Sequence, residues 1–115
     1  MSGSINRVTA SANYVGVLAY NPNASVTIID TVAGSNSYGI GASSAAVMLR
    51  NSTVSNNTIG IAADQSAIVR VGQSTVTANG TGWQATNGAQ VVSYSNNNVS
   101  GNTTDGTLTS TVALQ

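Results

Sequence analysis

Acid–base or metal chemistry in this chain would have to come from six charged side chains: Asp30, Asp64, Asp105, Arg7, Arg50 and Arg70. The 115 residues contain no Lys, Glu, His, Phe or Cys. Imidazole bases, thiol nucleophiles and metal sites built on His or Cys are therefore excluded. Glycoside cleavage needs two carboxyl groups roughly 5–9.5 Å apart across the scissile bond. The three Asp stand 34 and 41 residues apart, and they fall on different faces or distant units of the repeat described below. One Asp per region supplies no oxygen cage for a hard cation. The expectation is a protein without catalytic residues, metal or cofactor. Three scattered Arg cannot track a phosphate backbone, so nucleic acid is not an expected partner. No apolar run approaches the roughly 20 residues of a spanning helix, so membrane insertion is not expected either.

Binding chemistry has more material. Tyr20 opens the Asn-rich stretch Tyr20-Asn21-Pro22-Asn23 and could stack on a sugar ring. With Asp64, the residues Tyr20, Asn21 and Asn23 form the candidate binding loop, and a glycan is a possible partner. Trp83 could do the same, but its repeat position assigns it to the core. The Asn-x-Ser/Thr patterns at Asn23, Asn51, Asn56, Asn79, Asn98 and Asn102 follow from a composition rich in those residues, and no attached glycan is expected.

These residues are positioned by an internal repeat. Asn recurs at Asn13, Asn36, Asn57, Asn79 and Asn102, at intervals of 23, 21, 22 and 23. Three residues after the first four comes a Gly (Gly16, Gly39, Gly60, Gly82). A bulky residue follows (Val17, Ile40, Ile61, Trp83), then Ala two further on (Ala19, Ala42, Ala63, Ala85). Eight residues before each Asn stand Ile5, Ile28, Leu49, Val71 and Tyr94, with Val26, Val47, Val69 and Val92 two before the last four. Three before each Asn lie Ala10, Ala33, Val54, Val76 and Val99.

Apolar residues two apart are the signature of a strand with one buried face. Each unit therefore holds three short strands, near 15–19, 26–28 and 31–33 and at their equivalents. A unit of about 22 residues cannot bury a face alone, so units stack and each strand pairs with its counterpart in the next. The expected fold is all-β: a right-handed parallel β-helix solenoid of about five coils of 21–23 residues with three parallel sheets. The Asn column is expected to be a structural ladder, with Asn in the left-handed region or bonding along the stack. The Gly column implies positive φ or close approach. Arg7, Asp30, Asn51, Gln73 and Asn96 form one outward column, so Arg7 and Asp30 are expected to pair across coils about 4.8 Å apart.

The phrases from Asn51 to Ile61 (NSTVSNNTIGI) and from Ser74 to Gly82 (STVTANGTG) resemble the parallel β-helix repeats of the pectate-lyase-like superfamily, and Asn102–Thr107 resembles the end of bacterial β-helix proteins of unassigned function. The resemblance covers roughly residues 5–106. It implies an extracellular or cell-surface location and further coils before residue 5. That superfamily includes lyases, hydrolases, tailspikes, adhesins and proteins without known activity.

Residues 1–4 read as a leader, 5–106 as coils, and 107–115 as a C-terminal strand or cap, with Leu108, Ser110, Val112 and Leu114 alternating. Length varies only in 20–25, 43–46, 64–68 and 86–91, which places variable loops along one edge, where binding residues commonly sit. The first coil has no visible cap, so a homo-oligomer through a helix end is expected. The leading functional reading is a non-catalytic structural or adhesive segment that self-associates or presents a polar face. The alternatives are a truncated carbohydrate-active protein lacking its catalytic coils and a minimal β-helix scaffold.

Overall fold

The structure is a computed structural model that describes residues 2–106 and 110–111. Each coil contributes three strands. The first holds β1 (Ser2–Asn6), β2 (Thr9–Ser11) and β3 (Val15–Tyr20). The second holds β4 (Ser25–Ile29), β5 (Val32–Gly34) and β6 (Tyr38–Ser43). Next come β7 (Ala46–Arg50), β8 (Thr53–Ser55) and β9 (Ile59–Asp64), then β10 (Ile68–Gly72), β11 (Thr75–Thr77) and β12 (Thr81–Ala85). The fifth coil carries β13 (Gln90–Ser93), β14 (Asn98–Ser100) and β15 (Thr104–Gly106), and β16 (Ser110–Thr111) follows. Every third strand is a neighbour. The first sheet runs β1-β4-β7-β10-β13-β16, the second β2-β5-β8-β11-β14, and the third β3-β6-β9-β12-β15. All pairings are parallel. The chain is thus a parallel β-solenoid of about five turns, and the strands anticipated at 15–19, 26–28 and 31–33 are present.

The apolar columns meet inside. Ile28, Leu49 and Val71 from the first sheet, Ala33, Val54 and Val76 from the second, and Ile40 and Ile61 from the third are almost wholly buried. Trp83 continues the Val17-Ile40-Ile61 column and is 5% exposed, so it is a core residue. A further column, Ala24, Ala45, Ala67 and Ala89, closes the core where the variable loops re-enter the first sheet. It went unread in the sequence because it lies outside the constant intervals around Asn.

Three expectations need correction. Val92 and Tyr94 do not continue the inward columns of the first sheet: Val91 pairs with Val69 and Ser93 with Val71. The loop side sets this register, because Ala45, Ala67 and Ala89 each precede the inward Val by two residues. The extra residue of the fifth coil is absorbed at the following corner: Val71 precedes Asn79 by eight, but Ser93 precedes Asn102 by nine. A one-residue slip exchanges the two faces of a strand, so Ser93 goes in and Tyr94 turns away.

The second correction concerns the corners. The ladder Asn is not the left-handed residue. Its predecessor is: Ala12, Ser35, Asn56 and Ala78 have φ of 57–60° and Gly101 has 72°. The next corner uses Arg7, Asp30, Asn51, Gln73 and Ser95, with Ser95 rather than Asn96 in the last place for the reason just given. The Gly column, by contrast, answers to close approach. A Cβ on Gly60 would lie 2.5 Å from the Gly82 carbonyl oxygen and 2.9 Å from Asn79 Nδ2. Third, Asp30 accepts a hydrogen bond from the Asn51 amide at 2.6 Å, and no Arg7–Asp30 ion pair is formed. A neutral amide in the adjacent coil satisfies the carboxylate without fixing the long Arg side chain, whose ordering would offset most of a surface pair's gain.

Of the C-terminal strand or cap, Ser110–Thr111 pairs in parallel with Val92–Ser93 and adds a sixth strand to the first sheet. The remaining residues of that segment lie outside the described residues, as does Met1 of the leader. Ser2–Ser4 of the leader belong to β1, so the first coil begins earlier than the repeat suggests.

Candidate functional site

The corner between the second and third sheets carries the Asn ladder. Each Asn side chain reaches back to the preceding coil. Asn36 Oδ1 accepts the Asn13 backbone N–H (2.9 Å), Asn57 Oδ1 that of Asn36 (2.9 Å), Asn79 Oδ1 that of Asn57 (3.0 Å) and Asn102 Oδ1 that of Asn79 (2.9 Å). The Nδ2 groups donate to the carbonyls of Ala10, Ala33, Val54 and Val76. Asn36, Asn57 and Asn79 are 2–5% exposed, so these bonds satisfy polar groups that water does not reach.

The ladder has two unlike ends. Asn57 Nδ2 also donates to Asn79 Oδ1, and Asn79 Nδ2 to Asn102 Oδ1. In the last coil the corresponding bond goes to Asp105 Oδ1, at 3.1 Å. Asp105 thus takes the place of the next Asn. At the other end, the Asn13 side chain is exposed and has no hydrogen-bond partner among the described residues.

A second ladder runs along the corner between the first and second sheets. The backbone N–H of Thr31 donates to Ser52 Oγ, that of Ser52 to Ser74 Oγ, and that of Ser74 to Asn97 Oδ1. Each hydroxyl donates in turn to the carbonyl two residues earlier: Thr31 to Ile29, Ser52 to Arg50, Ser74 to Gly72. The signal was present as hydroxyl residues five before Asn36, Asn57 and Asn79. It was lost among the many other Ser and Thr of the chain.

The loop edge brings together part of the candidate binding loop. Tyr20 pairs in register with Ser43, and Ser43 with Asp64, so Tyr20 and Asp64 share one column two coils apart. Tyr20 is 73% exposed. Asn21 Oδ1 accepts the Asn23 backbone N–H, which shapes the loop tip. Asp64 is held by its neighbours: Asn87 Nδ2 donates at 2.7 Å, Thr86 Oγ1 at 3.0 Å and the Gln65 N–H at 2.9 Å. The Asn87 bond first and then that of Thr86, with a lesser contribution from the Gln65 N–H, lower the carboxyl's pKa against an opposing effect of desolvation.

Beside this column, the outer face of the third sheet carries an apolar notch unread in the sequence. Tyr14 and Tyr38 meet edge to face with ring centroids 5.5 Å apart. Leu18, 57% exposed, overhangs Gly41 and Ala62 in the next two coils. The notch depends on register across three coils, which no local window of sequence displays. Asp30 at the corner between the first and second sheets, Asp64 at the loop edge and Asp105 in β15 are not brought together, and no cluster of three metal-ligating side chains is found among the described residues.

The geometry defines the class as a ladder-stapled parallel β-solenoid with a tyrosine-bearing outer face. No family model, no curated protein and no solved structure matches the chain.

Proposed function

We propose that this chain is a non-catalytic structural or adhesive segment of a β-helix protein, and that the 115-residue chain self-associates through its first coil. One observation carries the reading: among the described residues the exposed Asn13 side chain has no hydrogen-bond partner, whereas those of Asn36, Asn57 and Asn79 each bond to the preceding coil. Among the described residues, β1, β2 and β3 each have one unpaired edge. Unpaired edges without Lys or Pro invite pairing with another chain, and a formal net charge of zero offers no long-range repulsion. At the far end, Asp105 and β16 already occupy ladder and sheet positions, which favours a two-fold contact between first coils over a head-to-tail filament. The resemblance to pectate-lyase-like repeats, and with it an extracellular or cell-surface setting, belongs to this proposal.

Size-exclusion chromatography with light scattering tests it. The expected result is a concentration-dependent dimer that the double variant Ser4→Lys/Thr9→Lys returns to monomer. A monomer at all concentrations refutes the self-associating part. A second reading, a glycan-binding fragment of a carbohydrate-active protein, draws on Tyr14, Tyr20, Tyr38 and Leu18 on one face. Retardation of the chain in gels containing neutral polysaccharide, lost in Tyr14→Ala/Tyr20→Ala, would support it.

A further inference from the structure

The chain contains two Asn-Gly steps, Asn79-Gly80 and Asn87-Gly88, the sequence most prone to spontaneous loss of the side-chain amide because glycine offers no side chain to hinder attack by its own nitrogen. The geometry points to Asn87 as a site of deamidation in the folded protein, with Asn79 protected. The reaction needs no enzyme or redox partner. Base removes the Gly88 N–H proton, the nitrogen attacks Asn87 Cγ, and the Cγ–Nδ2 bond breaks as ammonia leaves. Water then opens the cyclic imide at either carbonyl to give aspartate or isoaspartate, so one water enters for each ammonia released.

The two sites differ in what must be broken first. Asn79 is 2% exposed. Its Oδ1 accepts the Asn57 N–H and Asn57 Nδ2, and its Nδ2 donates to the Val54 carbonyl and Asn102 Oδ1. The attacking nitrogen is also held, since the Gly80 N–H donates to the Asn57 carbonyl at 2.9 Å. Imide formation there requires opening two coils. Asn87 lies in the exposed stretch 86–88; among the described residues its side chain makes one hydrogen bond, to Asp64, and the Gly88 N–H has no acceptor.

The product changes the surface. The amide that now donates to Asp64 becomes a carboxylate facing it, and the formal charge of the chain goes from zero to −1. Thr86 and the Gln65 N–H remain as donors to Asp64. The loop edge, nearly neutral as synthesised, becomes an acidic pair.

The test incubates the folded chain at mildly alkaline pH and follows each site by mass spectrometry after cleavage at Trp83, which puts Asn79 and Asn87 on different peptides. Asn87 is expected to convert about tenfold faster than Asn79 or more, because Asn79 must await local unfolding. In denaturing urea the two rates should converge. Asn87→Gln should abolish the early acidic species on ion exchange and leave Asn79 unchanged. Equal rates in the folded chain, or conversion of neither site there while both convert in urea, would overturn the assignment.

Discussion

Asn57→Ala removes a buried amide from the middle of the ladder. Its Oδ1 accepts the buried Asn36 N–H, and its Nδ2 donates to the Ala33 carbonyl and to Asn79 Oδ1. Asn79 Oδ1 keeps a partner in the Asn57 backbone N–H, so the Asn36 N–H loses its partner and the Ala33 carbonyl loses one bond, worth about 1 kcal/mol. An unsatisfied buried group costs about 1–3 kcal/mol. Partial relaxation of the corner brings the sum to about 2–4 kcal/mol. Asn13→Ala is the internal control: its side chain is exposed and unpartnered, and its replacement should cost under about 0.5 kcal/mol. Urea unfolding followed by far-ultraviolet circular dichroism reads both. With a slope of about 2 kcal/mol per molar urea, Asn57→Ala should lower the midpoint by about 1–2 M at constant slope. Equal midpoints for the two variants would refute the claim that the ladder bonds, and not merely the apolar columns, hold the corner.

Further outcomes follow from the same geometry. Gly60→Ala should cost about 1–3 kcal/mol, since its Cβ would press on the Gly82 carbonyl of the next coil; thermal unfolding measures it. Ser52→Ala strands the Thr31 N–H, while the Arg50 carbonyl keeps the Asp30 N–H as a donor, and should lose about 1–3 kcal/mol in urea, whereas Ser52→Thr should retain most of the stability. The Asp64 carboxyl titrates below its ordinary value in the folded chain, so its contribution is complete above the ordinary carboxylate range and disappears as pH falls through the folded value. Asp64→Asn should therefore flatten that part of the acid limb of the stability curve, and an unchanged limb would count against the Asn87 and Thr86 bonds.

The sequence by itself determined the solenoid. Apolar residues at period two fix strands, and the fixed intervals around Asn13, Asn36, Asn57, Asn79 and Asn102 fix which strands become neighbours, because only equivalent strands bury the same columns. The core identity of Trp83 and the burial of the central Asn were legible for the same reason. Tertiary structure decided whatever depends on contact between coils. The slip that buries Ser93 instead of Tyr94 arises from the Ala24-Ala45-Ala67-Ala89 column, which competes with the Asn interval and wins because it is packed. The Arg7–Asp30 pair expected from their shared column gives way to a hydrogen bond from the Asn51 amide of the adjacent coil. Tyr14 and Leu18 gain their relation to Tyr38, Gly41 and Ala62 only when three turns are stacked. Of the candidate binding loop, the sequence supplied the residues Tyr20, Asn21, Asn23 and Asp64. Stacking placed Tyr20 and Asp64 in one column and tied the Asp64 carboxylate to Asn87 and Thr86, since a side chain's partners on a solenoid are 21–23 residues away in sequence and one strand spacing away in space.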